Sequence, residues 1–172
     1  MKETGIVIRK AKLGDEKGIA EMIKEGITRK NWIYNGSNKA PNKEKIRKMK
    51  EKYKKNSDEF IFVAIDKKNK KVIGSVSGSF KKSGRVRHRV SFGWGVHPDY
   101  QGRGIATALL KTALNFAKKK KFKKATAEAA IENTASLKLA KKAGFKIEGR
   151  LEKGLLTDDG RYIDTYIFGR LL

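Results

Sequence analysis

A glycine-containing turn between a predicted strand and a predicted helix is the segment best suited to chemistry. It lies in VHPDYQGRGIATALL, residues 96–110. Gly102 and Gly104 let backbone N–H groups face a ligand with no side chain in the way. The first N–H groups of the helix have no internal partners, and the helix dipole adds partial positive charge there. Arg103 adds a full charge, so the segment predicts a phosphate-binding site, with a simple tight connection as the alternative.

Three other segments hold residues of chemical interest. The strand SFGWGV (91–96) has glycines at 93 and 95, which favour a β-bulge; close packing under a helix is the alternative. Asn133 is suited to cap a helix N-terminus, with a ligand contact as the alternative. On the strand before it, Glu128 shares one face with Thr126 and Ala130. The simplest role for this carboxylate is an ion pair with one of the chain's many lysines.

These segments are positioned by a series of strands and helices. Apolar periodicity predicts strands at 6–10, 59–66, 72–80, 86–96, 124–130, 145–156 and 162–171, and helices at 13–27, 42–55, 103–120 and 133–142. A loop with Trp32 and Tyr34 is predicted over 28–41. The central strand–helix–strand unit requires parallel pairing, so we expect a mixed sheet of about seven strands flanked by about four helices. The fold class is α/β, or α+β by stricter definitions, in one domain over residues 1–172.

Composition narrows the classes of function. Lys and Arg number 42 against 18 Asp and Glu, a net charge of +24. Such a charge attracts polyanions such as coenzyme A, nucleic acid or ribosomes; a solvated lysine-rich surface of the heat-adapted kind is the alternative. The chain has no cysteine and two histidines, so disulfides, a cysteine nucleophile and thiolate metal sites are excluded. No apolar run is long enough for a membrane span or signal peptide, and a cytoplasmic protein is expected.

Two basic clusters stand apart from the turn. The run KKKKFKK (118–124) is typical of a solvated helix end, where lysines suit the C-terminal dipole. Arg85, Arg87, His88 and Arg89 are expected on an exposed strand, where they could form the rim of a substrate site.

The turn resembles the pyrophosphate signature R/Q-x-x-G-x-G/A of the GNAT acetyltransferase superfamily. Gln101, Gly104 and Ala106 match this signature, and Pro98 precedes it at the usual distance. The resemblance implies a GNAT-like domain that uses acetyl-CoA and no metal. The coenzyme-binding residues that it implies are Val96, Gln101, Gly102, Arg103, Gly104, Ile105, Ala106, Thr107, Asn133 and Ser136.

The resemblance also implies a function for the preceding strand, residues 91–96. In this family a bulge at the position of Gly93 and Gly95 splays two parallel strands, and the pantetheine arm inserts between them. Val96 would then offer main-chain contacts, and Trp94 would either line the acetyl group or fill the core. The N-x-x-S pattern of Asn133 and Ser136 and the C-terminal tail look most like the subgroup of ribosomal-protein N-terminal acetyltransferases.

The catalytic residues follow from the same resemblance. Many members carry a tyrosine at the position of Ala140, where it protonates the leaving thiolate, and alanine cannot do so. Ser136 is the expected substitute; Tyr162 and Tyr166 are further candidates. Glu128 lies five residues before Asn133, where similar enzymes have an acidic base, and is the candidate that takes the proton from the amine.

The expected activity is direct transfer of an acetyl group from acetyl-CoA to a primary amine in a ternary complex. A protein N-terminal α-amine is the favoured acceptor; a small amine, antibiotic or polyamine is the alternative. Two alternatives belong to other functional classes: a basic module that binds nucleic acid or ribosomes, and a coenzyme A binder without catalytic activity. A homodimer is a further possibility for the assembly.

Overall fold

The structure is a computed structural model that describes residues 5–28, 41–51, 57–157 and 159–172. The predicted loop with Trp32 and Tyr34 lies outside the described residues. In chain order the elements are β1 (Ile6–Lys10), α1 (Asp15–Thr28), α2 (Lys43–Glu51), β2 (Glu59–Asp66), β3 (Lys71–Phe80), β4 (Arg89–Val96), a 3₁₀ turn (Pro98–Tyr100), α3 (Ile105–Lys119), β5 (Lys124–Ala130), α4 (Thr134–Lys142), β6 (Lys146–Leu156) and β7 (Tyr162–Leu171).

All seven strands of the described chain form one mixed sheet in the order β1-β2-β3-β4-β5-β7-β6. Five of the six neighbouring pairs are antiparallel, and β4 and β5 are parallel. The parallel pair is joined through α3, as a crossover connection requires. The predicted mixed sheet with its four helices is therefore confirmed.

Helices pack on both faces of the sheet because alternate residues of the inner strands are apolar on each side. The α3 face holds Phe60, Phe92 and Leu109, and the α1 face holds Met22 and Val63. Two glycines of β3 make the α3 face compact. A Cβ at Gly74 would lie 3.0 Å from Cδ1 of Leu109, and one at Gly78 would lie 2.3 Å from the Phe60 ring.

Two predictions about the region around β4 are wrong. The strand begins at Arg89 rather than at residue 86. Gly84 has φ +82, and hydrogen bonds from Arg87 N to the Gly84 carbonyl and from Arg89 N to the Val86 carbonyl form turns. Consequently Arg85, Arg87 and His88, predicted on a strand, lie exposed in these turns.

The predicted bulge at Gly93 and Gly95 is also not present in the β3–β4 ladder. Its register runs from Gly74↔Val96 to Phe80↔Val90 without a shift. A Cβ at Gly93 would meet only Oγ of Ser77, at 3.5 Å, so close packing does not explain that glycine either. Register irregularities occur instead in the β6–β7 pair.

Candidate functional site

The parallel strands β4 and β5 part before they end. Their pairing stops at Phe92↔Ala127, whereas β4 stays paired with β3 as far as Val96, and β5 stays paired with β7 as far as Ala130. A wedge therefore opens between the carboxyl ends of the two strands, although the bulge expected to cause it is missing. Glu128 is the first β5 residue beyond the last parallel pair.

The chain leaves β4 through a turn organised by His97, whose side chain is 1% exposed. Its Nδ1 accepts a hydrogen bond from Asp99 N at 3.3 Å, and its Nε2 lies 2.9 Å from Nζ of Lys71. The His97 backbone N–H donates to the Ile73 carbonyl at 2.9 Å. These contacts fix the start of the 3₁₀ turn and thereby the direction in which the glycine segment leaves the sheet.

Gly102 and Gly104 adopt φ values of +75 and +78, which side chains other than glycine rarely accept. No heavy atom lies within 4 Å of a Cβ built at either position, so the space beside them is open. Gly104 is the N-cap of α3; it supplies no capping side chain, and the first turn of the helix holds no acidic residue. The N-cap residue therefore leaves the first N–H groups of this helix without a side-chain acceptor, as an anion site requires.

Arg103 is held beside this helix end. Its guanidinium lies 5.0 Å from the centre of the Tyr100 ring, and Nη2 donates to the Asp99 carbonyl at 2.8 Å. The Tyr100 hydroxyl donates to Oδ2 of Asp66 at 2.8 Å, and this hydrogen bond is the main cause that lowers the pKa of Asp66. The stacked pair keeps a full positive charge next to the exposed N–H groups.

Five more of the residues expected to bind the coenzyme lie in the same segment. The Val96 carbonyl accepts a hydrogen bond from the Gln101 side chain at 3.3 Å. Ile105 is buried in the core, so only its backbone is available to a ligand. Ala106 is half-buried, and Thr107 is exposed in the first turn of α3.

The start of α4 lies at the same edge of the sheet because β4 and β5 are parallel neighbours. Asn133 Oδ1 accepts a hydrogen bond from Ser136 N at 3.0 Å, which confirms the predicted N-cap. The Asn133 amide oxygen is thus already bonded, in contrast to the uncapped start of α3. Ser136 is half-buried in the first turn.

Glu128 is half-buried, and its Oε1 accepts a 2.6 Å hydrogen bond from Oγ1 of Thr165. Within the described part of the chain, this carboxylate forms no ion pair, so the expected pairing with a lysine does not occur there. Thr165 is fully buried, and Gly154 packs directly on it, since a Cβ there would lie 2.3 Å from Oγ1. The sequence contained no signal for Thr165, because its position depends on the β5–β7 register, in which it lies opposite Ala130.

Tyr162 and Tyr166, the further candidates for the residue that protonates the thiolate, both lie away from Glu128. Tyr166 lies opposite Ala129, so its side chain is on the other face of the sheet from Glu128. Tyr162 is 61% exposed, beyond the end of the β5–β7 ladder. Ala140 is fully buried in the core.

A groove of about 400 Å³ runs beside α3 and begins near the glycine turn. Four of its lining residues are cationic and none is acidic. The lining residues are Thr107, Lys111, Leu114, Asn115, Lys118, Lys142, Ala143, Gly144 and Arg170. Arg170 also donates to the Ala143 carbonyl at the end of α4. This groove extends the positive surface away from the helix N-terminus.

In the described ranges, no three or more His, Asp or Glu side chains are grouped so that they could hold a metal ion. Among the helices of those ranges, none is both long and apolar enough to cross a membrane.

Comparison with known proteins identifies acetyltransferases among both the family models and the sequence relatives. A model described as an acetyltransferase (GNAT) domain matches residues 6–146. An L-amino acid N-acetyltransferase of Escherichia coli (strain K12) is 28% identical over 101 residues. That match covers 58% of this chain and 62% of the relative, so the chain spans less than two thirds of its length.

Solved structures share the fold over almost the whole chain. An acetyltransferase of Salmonella typhimurium, in a structure with its cofactor acetyl-CoA, has a TM-score of 0.83 at 19% identity and covers 98% of this chain and 95% of its own. A ribosomal-protein-alanine N-acetyltransferase of Brucella melitensis has a TM-score of 0.83 at 22% identity, with coverage of 96% and 99%. At these identities the likeness establishes the fold.

Proposed function

We propose that this chain, which belongs to the GNAT acetyltransferase family, transfers the acetyl group of acetyl-CoA to an α-amine within the wedge between β4 and β5. The chain is an acyltransferase by family. The observation that carries the specific proposal is the combination of this wedge with the uncapped, acid-free N-terminus of α3 at its edge. Phosphates bind well at such a helix end, and an extended arm fits between strands that have parted.

The coenzyme supplies an activated thioester, and the chain supplies position and proton transfer. Gly102, Gly104 and Arg103 hold the pyrophosphate through backbone N–H groups and one guanidinium. The pantetheine arm lies along β4, with Val96 as its main-chain contact. Beyond the turn, Lys111 lines the cationic groove one turn of α3 after Thr107, and there it attracts the 3′-phosphate of the nucleotide.

Glu128 acts as the general base, directly or through a water molecule. It accepts the proton that the amine loses as its nitrogen attacks the carbonyl carbon of the thioester. A strand N–H at the wedge stabilises the negative oxygen of the intermediate. When the carbon–sulfur bond breaks, Ser136 donates a proton to the thiolate, a role that the buried Ala140 cannot take. Water then returns a proton to the Ser136 oxygen, and Glu128 releases the proton of the amine to solvent. The transfer is direct, with no acetyl-enzyme, and the chain has no cysteine thiol that could carry the group.

The acceptor is an α-amine of a polypeptide. An α-amine has a lower pKa than a lysine amine and so loses its proton more readily near neutral pH. A chain with a net charge of +24 also repels a small polycation such as spermidine. The tail and the N-x-x-S pattern that resemble N-terminal acetyltransferases support a protein substrate. The Escherichia coli relative, by its name an L-amino acid N-acetyltransferase, favours a free amino acid as the second candidate.

A competition assay tests this proposal. An unblocked peptide, its N-blocked lysine-containing counterpart, a mixture of L-amino acids and spermidine are each supplied with acetyl-CoA, and free thiol is measured. We expect the highest kcat/KM with the unblocked peptide. A higher value for the amino acids supports the second candidate, whereas a higher value for spermidine or the blocked peptide contradicts the α-amine assignment.

A further inference from the structure

One end of the molecule carries a dense group of cations. The turns between β3 and β4 (residues 81–89) contain five Lys or Arg, and the end of α3 with the start of β5 (residues 118–124) contains six. Neither segment contains an acidic residue. Ten of these eleven side chains are exposed, and Lys124 is half-buried. The two segments together are called the basic end below.

The fold joins the two segments of the basic end into one surface. The backbone N–H groups of Lys123 and Lys124 donate to the His88 carbonyl at 2.9 and 3.3 Å. Arg89 and Lys124 are partners at the start of the parallel pair β4 and β5. The glycine turn follows the other end of β4, which has eight residues. At about 3.3 Å per residue, the basic end lies about 23 Å from that turn.

The cations of the basic end are mostly not neutralised. Nζ of Lys124 lies 2.7 Å from Oε2 of Glu148, and in the described ranges no other cation of the eleven forms an ion pair. Asp58 and Glu59 reach the same edge of the sheet at the start of β2. A lysine-rich surface of the heat-adapted kind is stabilised by networks of paired charges, which this surface lacks. Its like charges repel one another, and a polyanion would remove that repulsion.

The other side chains of the basic end indicate which polyanion fits. Binding of single-stranded nucleic acid uses exposed aromatic rings, on which bases stack. Phe122 is half-buried here, and its ring packs on that of Phe80 with centres 5.0 Å apart. A membrane surface requires an apolar face. Val86 is the one large apolar side chain exposed in the basic end, and the apolar face of α3 is buried in the core. Phosphates of a duplex remain as the matching partner.

We propose that the basic end binds the phosphate backbone of duplex RNA, independently of its sequence and of the acetyl-transfer site. Duplex RNA presents phosphates and 2′-hydroxyls across a wide, shallow minor groove, which a blunt surface can contact. Ser83 and His88 are exposed among the cations and can hydrogen-bond to those hydroxyls. Duplex DNA is read mainly by a helix or a β-ribbon in its major groove. The basic end consists of turns and the last turn of α3, so it offers no such element.

The test is fluorescence anisotropy with a labelled RNA duplex of about 20 base pairs, titrated at several salt concentrations. Two double variants remove cations from the two segments: Lys82→Gln with Arg85→Gln, and Lys119→Gln with Lys123→Gln. The matched control is Lys67→Gln with Lys68→Gln, which lowers the net charge equally on exposed residues at the other end of β2. Thermal unfolding checks that all the variants fold.

Wild type should bind the duplex, and each basic-end variant should bind about tenfold more weakly at low salt, the worth of two exposed ion pairs. The slope of log affinity against log salt should fall by about 1.8 in each, because two phosphate contacts are lost. The control should stay within about twofold of wild type, since exposed charges this far away are screened. Saturating acetyl-CoA should leave the RNA affinity unchanged, because the two sites lie at opposite ends of β4.

Four results would overturn this inference. Wild type that binds no RNA duplex even at low salt has no such site. A control that loses as much affinity as the basic-end variants would show that net charge, and not this surface, attracts RNA. Displacement of RNA by acetyl-CoA would place the RNA in the coenzyme groove. Equal or tighter binding of a DNA duplex, a single strand or vesicles of anionic lipid would contradict duplex RNA as the partner.

Discussion

Replacing Gly104 by asparagine or aspartate separates shape from charge at the start of α3. The two side chains have nearly the same size, and both tolerate positive φ better than other residues, so each adapts to φ +78 at a cost of about 1 kcal/mol. No heavy atom lies within 4 Å of a Cβ there, so both variants should fold. They differ in one negative charge beside the site proposed for the pyrophosphate.

The size of that difference can be estimated. Two like charges at about 4 Å repel by about 4 kcal/mol when the effective dielectric constant is about 20. Since Gly104 is exposed, solvent screening reduces this repulsion energy to about half, or about 2 kcal/mol. About 2 kcal/mol corresponds to about a thirtyfold loss of affinity, since 1.36 kcal/mol is a factor of ten.

Calorimetric titration of acetyl-CoA into the three proteins measures the effect. Gly104→Asn should bind more weakly than wild type, and Gly104→Asp about thirtyfold more weakly than Gly104→Asn. The gap between the two variants should narrow as salt is added, because the repulsion is screened. Equal affinities of the asparagine and aspartate variants would refute the placement of phosphate at this helix end.

Four further perturbations probe other parts of the account. Glu128→Gln should lower kcat/KM by a factor on the order of 10²–10⁴ with little change in acetyl-CoA affinity; activity within threefold of wild type would exclude it as the base. Thr165→Val should lower kcat by about tenfold, the worth of a hydrogen bond to a charged group, and leave KM unchanged, while Thr165→Ser restores the rate; equal rates for both variants would contradict a positioning role. Ser136→Ala should lower kcat more than it weakens coenzyme binding, and full activity would assign the thiolate's proton to water. Lys111→Glu should weaken acetyl-CoA by about fivefold, the worth of an exposed ion pair, and dephospho-CoA much less; an equal loss for both would remove the 3′-phosphate from the groove.

Acid should destabilise the fold through Asp15. Burial of this carboxyl raises its pKa, but hydrogen bonds from the Arg9 side chain at 2.6 and 2.8 Å and from Lys12 N at 2.8 Å outweigh burial and lower it below the usual 3.8. The stabilisation is therefore complete above the unfolded-state pKa and is lost as pH falls through the folded-state value. Urea unfolding at pH 7 and pH 3 should show a smaller acid loss in Asp15→Asn than in wild type. An identical loss in both proteins would assign acid sensitivity to other groups.

Much of the fold was predictable because its signals are local. The period of apolar residues in α3 and the alternation in β2 specify helix and strand directly, and a strand–helix–strand unit implies a parallel pair. The start of β4 was missed because Val86 and the alternating residues around it look like a strand. The φ of +82 at Gly84 and the turn hydrogen bonds decide otherwise.

The candidate site was predictable where one segment contains it and not where distant segments meet. Residues 101–107 form one uninterrupted segment, so its two glycines and its arginine could be recognised from the sequence as parts of one phosphate site. Thr165 contacts Glu128 across 37 positions of the chain, and Tyr100 reaches Asp66 across 34. Both contacts depend on strand register and sheet order, which no local pattern contains. The wedge was expected from a bulge, but it arises because the β4–β5 pairing ends early.

Intact-mass analysis of a reaction mixture tests the central claim most directly. An unblocked peptide, acetyl-CoA and the protein are incubated together, and the masses of both peptide and protein are recorded, with Gly104→Asp as the control. We predict a peptide heavier by one acetyl group at its α-amine, an unmodified wild-type protein, and little product with the variant. A peptide that stays unacetylated, or an acetyl group found on the protein instead, would contradict direct transfer to an α-amine of a polypeptide.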